Sequence, residues 1–313
     1  MIPFFSIIIP LYNKEKHIKA TIESVLAQTF QDFEILVVND GATDKSKIIV
    51  EGIRDDRIQI FNIANQGVSH ARNYGINKSN SDLIVLLDAD DYWLPSHLED
   101  LKWLYETYSK CGLYAKAYAK KDKERIHTSH FLNLPYSGNW HGILDDYFEN
   151  SLRNSIAWTS SVMIPKSSFE KFGFFNENYT SGEDTDLWIR LALHVPVAFY
   201  NKISAYHNLH TENKVTNTPL STRKLLDLDI YNSAAQLNPS LKKYLDLNRI
   251  SIALQYKLEG QNELAKGHIK HIAKGNCTTL QRLLLNAPKL LLQSALIIKR
   301  LLFQLHVDLR LFR

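Results

Sequence analysis

Residues 82–91 read Asp82-Leu83-Ile84-Val85-Leu86-Leu87-Asp88-Ala89-Asp90-Asp91. Five apolar residues run straight into a group of three carboxylates. A short apolar run bounded by turn residues predicts a buried strand. Strands covered on both faces belong to parallel sheets flanked by helices. Carboxylates cannot continue into a core without partners, so this strand end opens onto a site. In open α/β sheets ligands sit outside the carboxyl ends of the strands, which draws attention to Asp88, Asp90 and Asp91.

Upstream, the same pattern repeats. Phe4 to Pro10, Glu34 to Asn39 and Arg57 to Asn62 are short strand-like runs. They alternate with segments of helical period at His17 to Gln28, Asp44 to Ile53 and Gly67 to Lys78. This βα alternation predicts an α/β fold with a mostly parallel central sheet. Downstream, Gly112 to Leu134 alternates weakly, and Ala157 to Ile164 predicts a strand ending at Pro165. Ser181 to His194 has the apolar spacing of a helix that stops at Pro196. Beyond Thr218, four segments favour helix: Leu220 to Gln236, Leu241 to Leu258, Glu263 to Lys274 and Leu280 to His306.

Composition narrows the class. With 313 residues, 45% apolar and 22% charged, the chain is neither disordered nor collagen-like. Its two cysteines, Cys111 and Cys277, suggest neither a disulfide framework nor a zinc site, and a reducing cytoplasm is the expected compartment. The apolar run from Met1 to Pro10 lacks a preceding basic segment and reads as a strand rather than a signal peptide. A net charge of +4 is too mild to argue for nucleic acid. No G-x-G-x-x-G, Walker-type loop or G-x-S-x-G elbow is present. Acids stand at the strand ends instead. They repel a diphosphate directly, but they can hold a divalent cation that clamps it.

Five ordered motifs carry a family resemblance. They are Ser6-Ile7-Ile8-Ile9-Pro10-Leu11-Tyr12-Asn13, Glu23-Ser24-Val25-Leu26-Ala27-Gln28-Thr29, Val38-Asn39-Asp40-Gly41-Ala42-Thr43-Asp44, Gly67-Val68-Ser69-His70-Ala71-Arg72-Asn73 and Asp88-Ala89-Asp90-Asp91. Together they resemble glycosyltransferase family 2, with its GT-A nucleotide-binding fold. A sixth, Ser181-Gly182-Glu183-Asp184 opening a helix with Trp188, resembles the family's acceptor-side Glu-Asp motif. The resemblance implies a catalytic domain over 1–218, with a donor half to about 98 and an acceptor half over 99–218. A helical region follows over 219–313.

The resemblance also implies roles. Asp40 binds the base or ribose, Tyr12 lines the base pocket and Arg72 lies near the base or diphosphate, with Pro10 and Ala89 on the same donor-nucleotide side. Asp88 contacts the ribose or sugar, and Asp90 coordinates Mn²⁺ or Mg²⁺. Asp184 is the general base, while Glu183 and Trp188 face the acceptor. A histidine after the last catalytic strand often adds a metal or diphosphate contact; His210 is preferred here over His207. The implied reaction is metal-dependent, inverting transfer from a nucleotide-sugar, with a UDP-sugar the expected donor. The acceptor is a hydroxyl of a glycan or lipid-linked glycan, as in surface polysaccharide synthesis. The alternatives are a non-catalytic nucleotide-binding scaffold and, less well matched, a sugar nucleotidyltransferase.

Plainer readings stand beside these. Asp40-Gly41 is an ordinary turn pair, and Asp91 could cap a helix start before Pro95. Asp184 and Glu183 could satisfy backbone N–H groups at a helix start, and Arg72 could form a surface ion pair. The tail from Leu280 to Arg313 carries Arg282, Lys289, Lys299, Arg300, Arg310 and Arg313 against one acid, Asp308, among many leucines and isoleucines. No run reaches the length of a membrane span. Two readings of the tail stay open. It is a basic amphipathic helix on an anionic bilayer, on the cytoplasmic face of the inner membrane, or it packs on the catalytic domain or a second subunit.

Overall fold

The run Ile7-Ile8-Ile9 is wholly buried, and it sets the centre of the sheet. The computed structural model describes residues 2–135, 138–213, 215 and 218–304. In chain order its main elements are β1 (Phe5–Leu11), α1 (Ile18–Leu26), β2 (Phe33–Asp40), α2 (Ser46–Glu51), β3 (Ile58–Ile63), α3 (Val68–Lys78), β4 (Leu83–Leu86), β5 (Tyr92–Trp93), α4 (His97–Thr107), β6 (Leu113–Asp122), β7 (Arg125–Thr128), β8 (His141–Ile143), α5 (Tyr147–Asn150), β9 (Val162–Pro165), α6 (Lys166–Phe172), α7 (Glu183–Ala192), β10 (Val197–Asn208), α8 (Asn232–Leu237), α9 (Pro239–Glu259), α10 (Asn262–Ile269), α11 (Thr279–Asn286) and α12 (Lys289–Gln304).

One compact unit is built from the described residues within Met1–Tyr147, Asn154–Val215 and Lys224–Leu226. Its sheet runs in the order β3-β2-β1-β4-β9-β6-β10-β5, with β7 on β6 and β8 on β10. The first four strands are mutually parallel. That is the half written by βα alternation, and β1 and β2 are buried almost from end to end. Beyond it the sheet is mixed. β9 runs antiparallel to both β4 and β6, whereas β6 and β10 are parallel. Fully burying each of the three isoleucines contributes about 1.5–3 kcal/mol.

Helix α1 buries Ile18, Thr21, Ile22 and Val25, a spacing that lays one stripe on the sheet. Helix α3 comes closer still. A side chain on its Gly75 would meet Cγ2 of Ile8 at 2.5 Å, so only glycine lets the helix seat there. Gly41, at φ +68, makes the turn that ends β2.

Two stretches depart from their sequence expectations. The strand expected over Ala157 to Ile164 is shorter, because Thr159–Ser161 forms a 3₁₀ turn. Its serine hydroxyls bond elsewhere: Ser161 to the Trp158 carbonyl at 3.0 Å, and Ser160 to Asp91 at 2.6 Å. Such side-chain bonds offer the backbone an alternative to a ladder. The helix expected over Leu220 to Gln236 is broken. Its residues 224–226 join the first unit, where Leu225 bridges Ser181 in a strand-like pairing.

The second unit takes the described residues of Phe148–Arg153, Thr216–Arg223 and Asp227–Arg313. Its axis is α9, started by Pro239 and by Asn238, whose Oδ1 accepts the Leu241 N–H at 2.9 Å, and ended at Gly260 with φ +82. Arg249 is buried on this helix. It donates to Asp229 and Asn232 at 2.8 Å each, and pairs with Asp246 at 3.3 Å. Asp246 in turn accepts from the Ala273 N–H and the Asn276 side chain. On α11 and α12, Leu280, Leu283, Leu290, Leu291, Ile297 and Ile298 are exposed. Among the described residues no helix is long and apolar enough to cross a membrane.

Candidate active site

The acid turn after β4 is held from three sides. The Thr21 hydroxyl reaches the carbonyls of Ala89 (3.0 Å) and Asp91 (2.8 Å). Ser160 Oγ accepts the Asp88 N–H at 3.1 Å and donates to Asp91 at 2.6 Å. The other Asp91 oxygen accepts the Asn208 N–H at 3.1 Å. Asp91 is therefore buried, and burial, with Asp90 and Asp88 beside it, pushes its carboxyl well above the usual range. It is the keystone of the turn rather than a helix cap. Ala89 is buried too, and so offers a ligand its backbone only.

Arg72, on α3, projects onto the same turn. Its guanidinium donates to Asp88 at 2.7 Å and to Glu183 at 3.2 Å, and lies 5.1 Å over the Phe175 ring. It is buried rather than a surface pair. Its pKa is raised: burial works against the charge, and Asp88 and then Glu183 overcome it. The Arg72 Nε–H is buried and has no hydrogen-bond partner among the described residues. Glu183 opens α7. Burial first, then Asp184, raises its pKa, while Arg72 pulls it back. Asp184, next in the helix, accepts the Thr185 N–H at 2.6 Å, a local bond of the kind a helix start makes. Thus α3, the acid turn and the start of α7 meet at one place.

Trp188 does not share that place. It is 1% exposed and lies edge-on to Phe175, a core residue with no face for an acceptor. One turn on from Asp184 on the same face of α7, it backs the Phe175 ring that lies under Arg72.

Asp40, at the end of β2, uses both carboxylate oxygens on backbone. They accept the N–H groups of Gln66 (2.8 Å) and Gly67 (2.9 Å), at the start of α3. Asn65 donates to its carbonyl at 2.9 Å. Asn39 is likewise engaged, with Asn62 and the Ala42 N–H. These bonds fix how α3, and Arg72 with it, stands over the sheet. Pro10 closes the end of β1, and Tyr12 beyond it is 42% exposed, free to offer its ring to a ligand.

The histidines separate. His210 pairs with Asp122 at the end of β6, and His207 stacks on Trp158 at 5.2 Å. Two other residues converge on the acid turn unannounced by the motifs. Lys14 sits with its ammonium 2.7 Å from Asp90, and Asn208 braces Asp91 through its backbone. Lys14 directly follows the Tyr12-Asn13 motif at a strand end, and that position was its one signal in the sequence. A backbone brace leaves no signal at all.

Among the described residues, no three or more His, Cys, Asp or Glu side chains gather into a group able to hold a metal by themselves. A hard cation such as Mg²⁺ needs no such cage. It keeps waters and binds through one or two carboxylates plus substrate phosphates. Asp90 and Asp88, 15% and 28% exposed, have the oxygen donors for that mode.

The α/β sheet, with an acid turn at its strand ends, defines a GT-A glycosyltransferase. Residues 6–173 match the model of Glycosyl transferase family 2, and the chain belongs to that family. A Rickettsia typhi protein described as an uncharacterized glycosyltransferase is 30% identical over 220 residues, covering 70% of this chain and 68% of its own length. A Rickettsia bellii protein so described is 35% identical over 189 residues, 60% of this chain, but the match spans only 26% of that protein. Among solved structures, S. aureus TarS 1-349 in complex with UDP-GlcNAc shares the fold, with a TM-score of 0.66 at 19% identity, covering 91% of this chain and 86% of that one.

Proposed function

We propose that a catalytic domain over 1–218, which holds most of the first unit, transfers a sugar with inversion from a UDP-linked donor to a hydroxyl of a glycan or lipid-linked glycan. The observation that carries this reading is the Arg72 bridge. One buried guanidinium ties the acid turn on the donor side to the helix that bears Glu183 and Asp184. The UDP-GlcNAc and UDP complexes of TarS support a uridine donor.

In this mechanism Tyr12 and the backbone from Pro10 bind the base, with Asp40 holding the α3 start against them. Asp88 faces the ribose or sugar and Arg72 orients it. Asp184 takes the proton from the acceptor hydroxyl as its oxygen attacks the anomeric carbon from the face opposite the diphosphate. A positioned base typically contributes about 10²- to 10⁴-fold. Asp90 would hold Mn²⁺ or Mg²⁺, which would supply Lewis-acid stabilisation of the departing diphosphate. Glu183, anchored to Arg72, keeps the α7 start in register. His210 serves that diphosphate only if it leaves Asp122, so it takes second place to the acid turn.

The exposed apolar rows of α11 and α12, together with Arg282 and Lys289, support a peripheral role at an anionic membrane surface, as polysaccharide synthesis on a lipid carrier requires. The decisive experiment is a panel of nucleotide sugars with Mn²⁺, following release of nucleoside diphosphate. UDP release from at least one donor is expected. Binding without any turnover across donors and acceptors would favour a scaffold, and absence of both binding and release would overturn the reading.

A further inference from the structure

Lys14 is a cation beside Asp90 to which the transfer mechanism gives no role. It lies in the loop between β1 and α1, and its side chain is only 12% exposed. The ammonium has two anchors. It pairs with Asp90 Oδ2 at 2.7 Å and donates to the Glu212 carbonyl at 2.6 Å. The same loop grips the segment after β10 at further points. The Glu212 carboxylate pairs with Lys16 at 2.5 Å and with His17 at 3.1 Å, and Asn213 donates to the Asn13 carbonyl at 3.2 Å. Lys14 is thus tethered with its charge on the carboxylate that the proposed function gives to the divalent ion.

We propose that Lys14 is a resident counter-ion of Asp90 in the donor-free protein, and that its charge competes with a divalent cation for this carboxylate. The inference rests on the proposed role of Asp90. The ammonium 2.7 Å from Oδ2 takes one of the lone pairs that a divalent ion would use, and two cations drawn to one carboxylate repel each other. A lysine is suited to the exchange, because its flexible stem carries a compact charge that can move to a new anion. A donor diphosphate brings that anion. Metal and nucleotide then bind cooperatively: the diphosphate attracts both Lys14 and the metal, and metal alone binds against the charge of the lysine.

The experiment is a Mn²⁺ titration of the full chain, reading free Mn²⁺ by electron paramagnetic resonance, with and without UDP. A neighbouring opposite charge alters a carboxylate's proton affinity by about 10- to 1000-fold. Lys14→Met is therefore expected to bind Mn²⁺ at least about ten-fold more tightly than wild type without nucleotide. Lys14→Arg, which keeps the charge, should stay near wild type. UDP should narrow the gap between Lys14→Met and wild type. Lys14→Gln repeats the test if the methionine variant folds poorly. Equal or weaker Mn²⁺ binding by Lys14→Met and Lys14→Gln, with Asp90→Asn still lowering affinity, overturns the Lys14 proposal alone. If Asp90→Asn leaves Mn²⁺ affinity unchanged in every background, the metal role of Asp90 fails and the Lys14 proposal falls with it.

Discussion

Replacing Arg72 with methionine keeps most of the side-chain volume and removes the charge that Asp88 and Glu183 share. Taking one partner out of a buried ion pair costs roughly 3–5 kcal/mol, because the other charge stays buried without compensation. Asp88 is 28% exposed and can draw on solvent, so the lower end, about 3 kcal/mol, applies. For a unit of about 200 residues each kcal/mol moves Tm by roughly 2–4 °C, which gives a fall of about 6–12 °C. The loss carries a pH signature. Arg72 pulls the Glu183 pKa down against burial, and without it that pKa rises further. A carboxyl whose folded pKa lies above its unfolded value gives its full stability below the unfolded value and loses it as pH rises through the folded one. The deficit of Arg72→Met should therefore be small near pH 4.5 and grow toward pH 8. Thermal melts by circular dichroism across that range, with Arg72→Lys as the charge-keeping control, measure it. A variant as stable as wild type at pH 8, or a deficit independent of pH, would refute this account of the bridge.

Asp40→Ala leaves two backbone N–H groups at the α3 start without their acceptor, and urea unfolding should show a loss of about 2 kcal/mol, with Asp40→Asn intermediate. Asp91 has a raised folded pKa, so its own contribution to stability falls as pH rises through that value. Asp91→Asn, which cannot ionise, should consequently gain Tm relative to wild type between pH 5 and pH 8; a constant difference would mean that Asp91 is not held protonated. Asp184→Asn should cut transfer by about 10²- to 10⁴-fold, the usual contribution of a positioned base, while calorimetry finds donor affinity unchanged. Loss of donor binding instead would place Asp184 on the donor side.

The parallel half of the sheet was legible because its signal is local. Buried strands such as Phe5–Leu11 and Leu83–Leu86 carry continuous apolar runs, and α1 carries its stripe at helical spacing. The mixed half was not, because β9 and the broken stretch after Leu220 depend on partners far along the chain. Ser160 bonds across to Asp91, Ser161 turns back on the Trp158 carbonyl, and residues 224–226 pair with 180–181. Of the site, the acids at the strand ends were visible as motifs. That Trp188 packs in the core was not visible, since an aromatic beside a functional motif looks the same in sequence whether it faces a ligand or the core.

The sequence by itself determined the class of this protein: the order of buried strands, the acids that follow them and the family to which they belong. Only the tertiary structure decided which of those acids a ligand can reach. Asp40 spends both oxygens on backbone N–H groups and Asp91 spends its own on the Asn208 N–H and the Ser160 hydroxyl, Asp88 is bridged by Arg72 to Glu183, and Asp90 meets Lys14. The reason is that a carboxylate's role is set by the donors and charges around it, and these arrive from α3, α7, β10 and the β1–α1 loop, segments that only folding brings together.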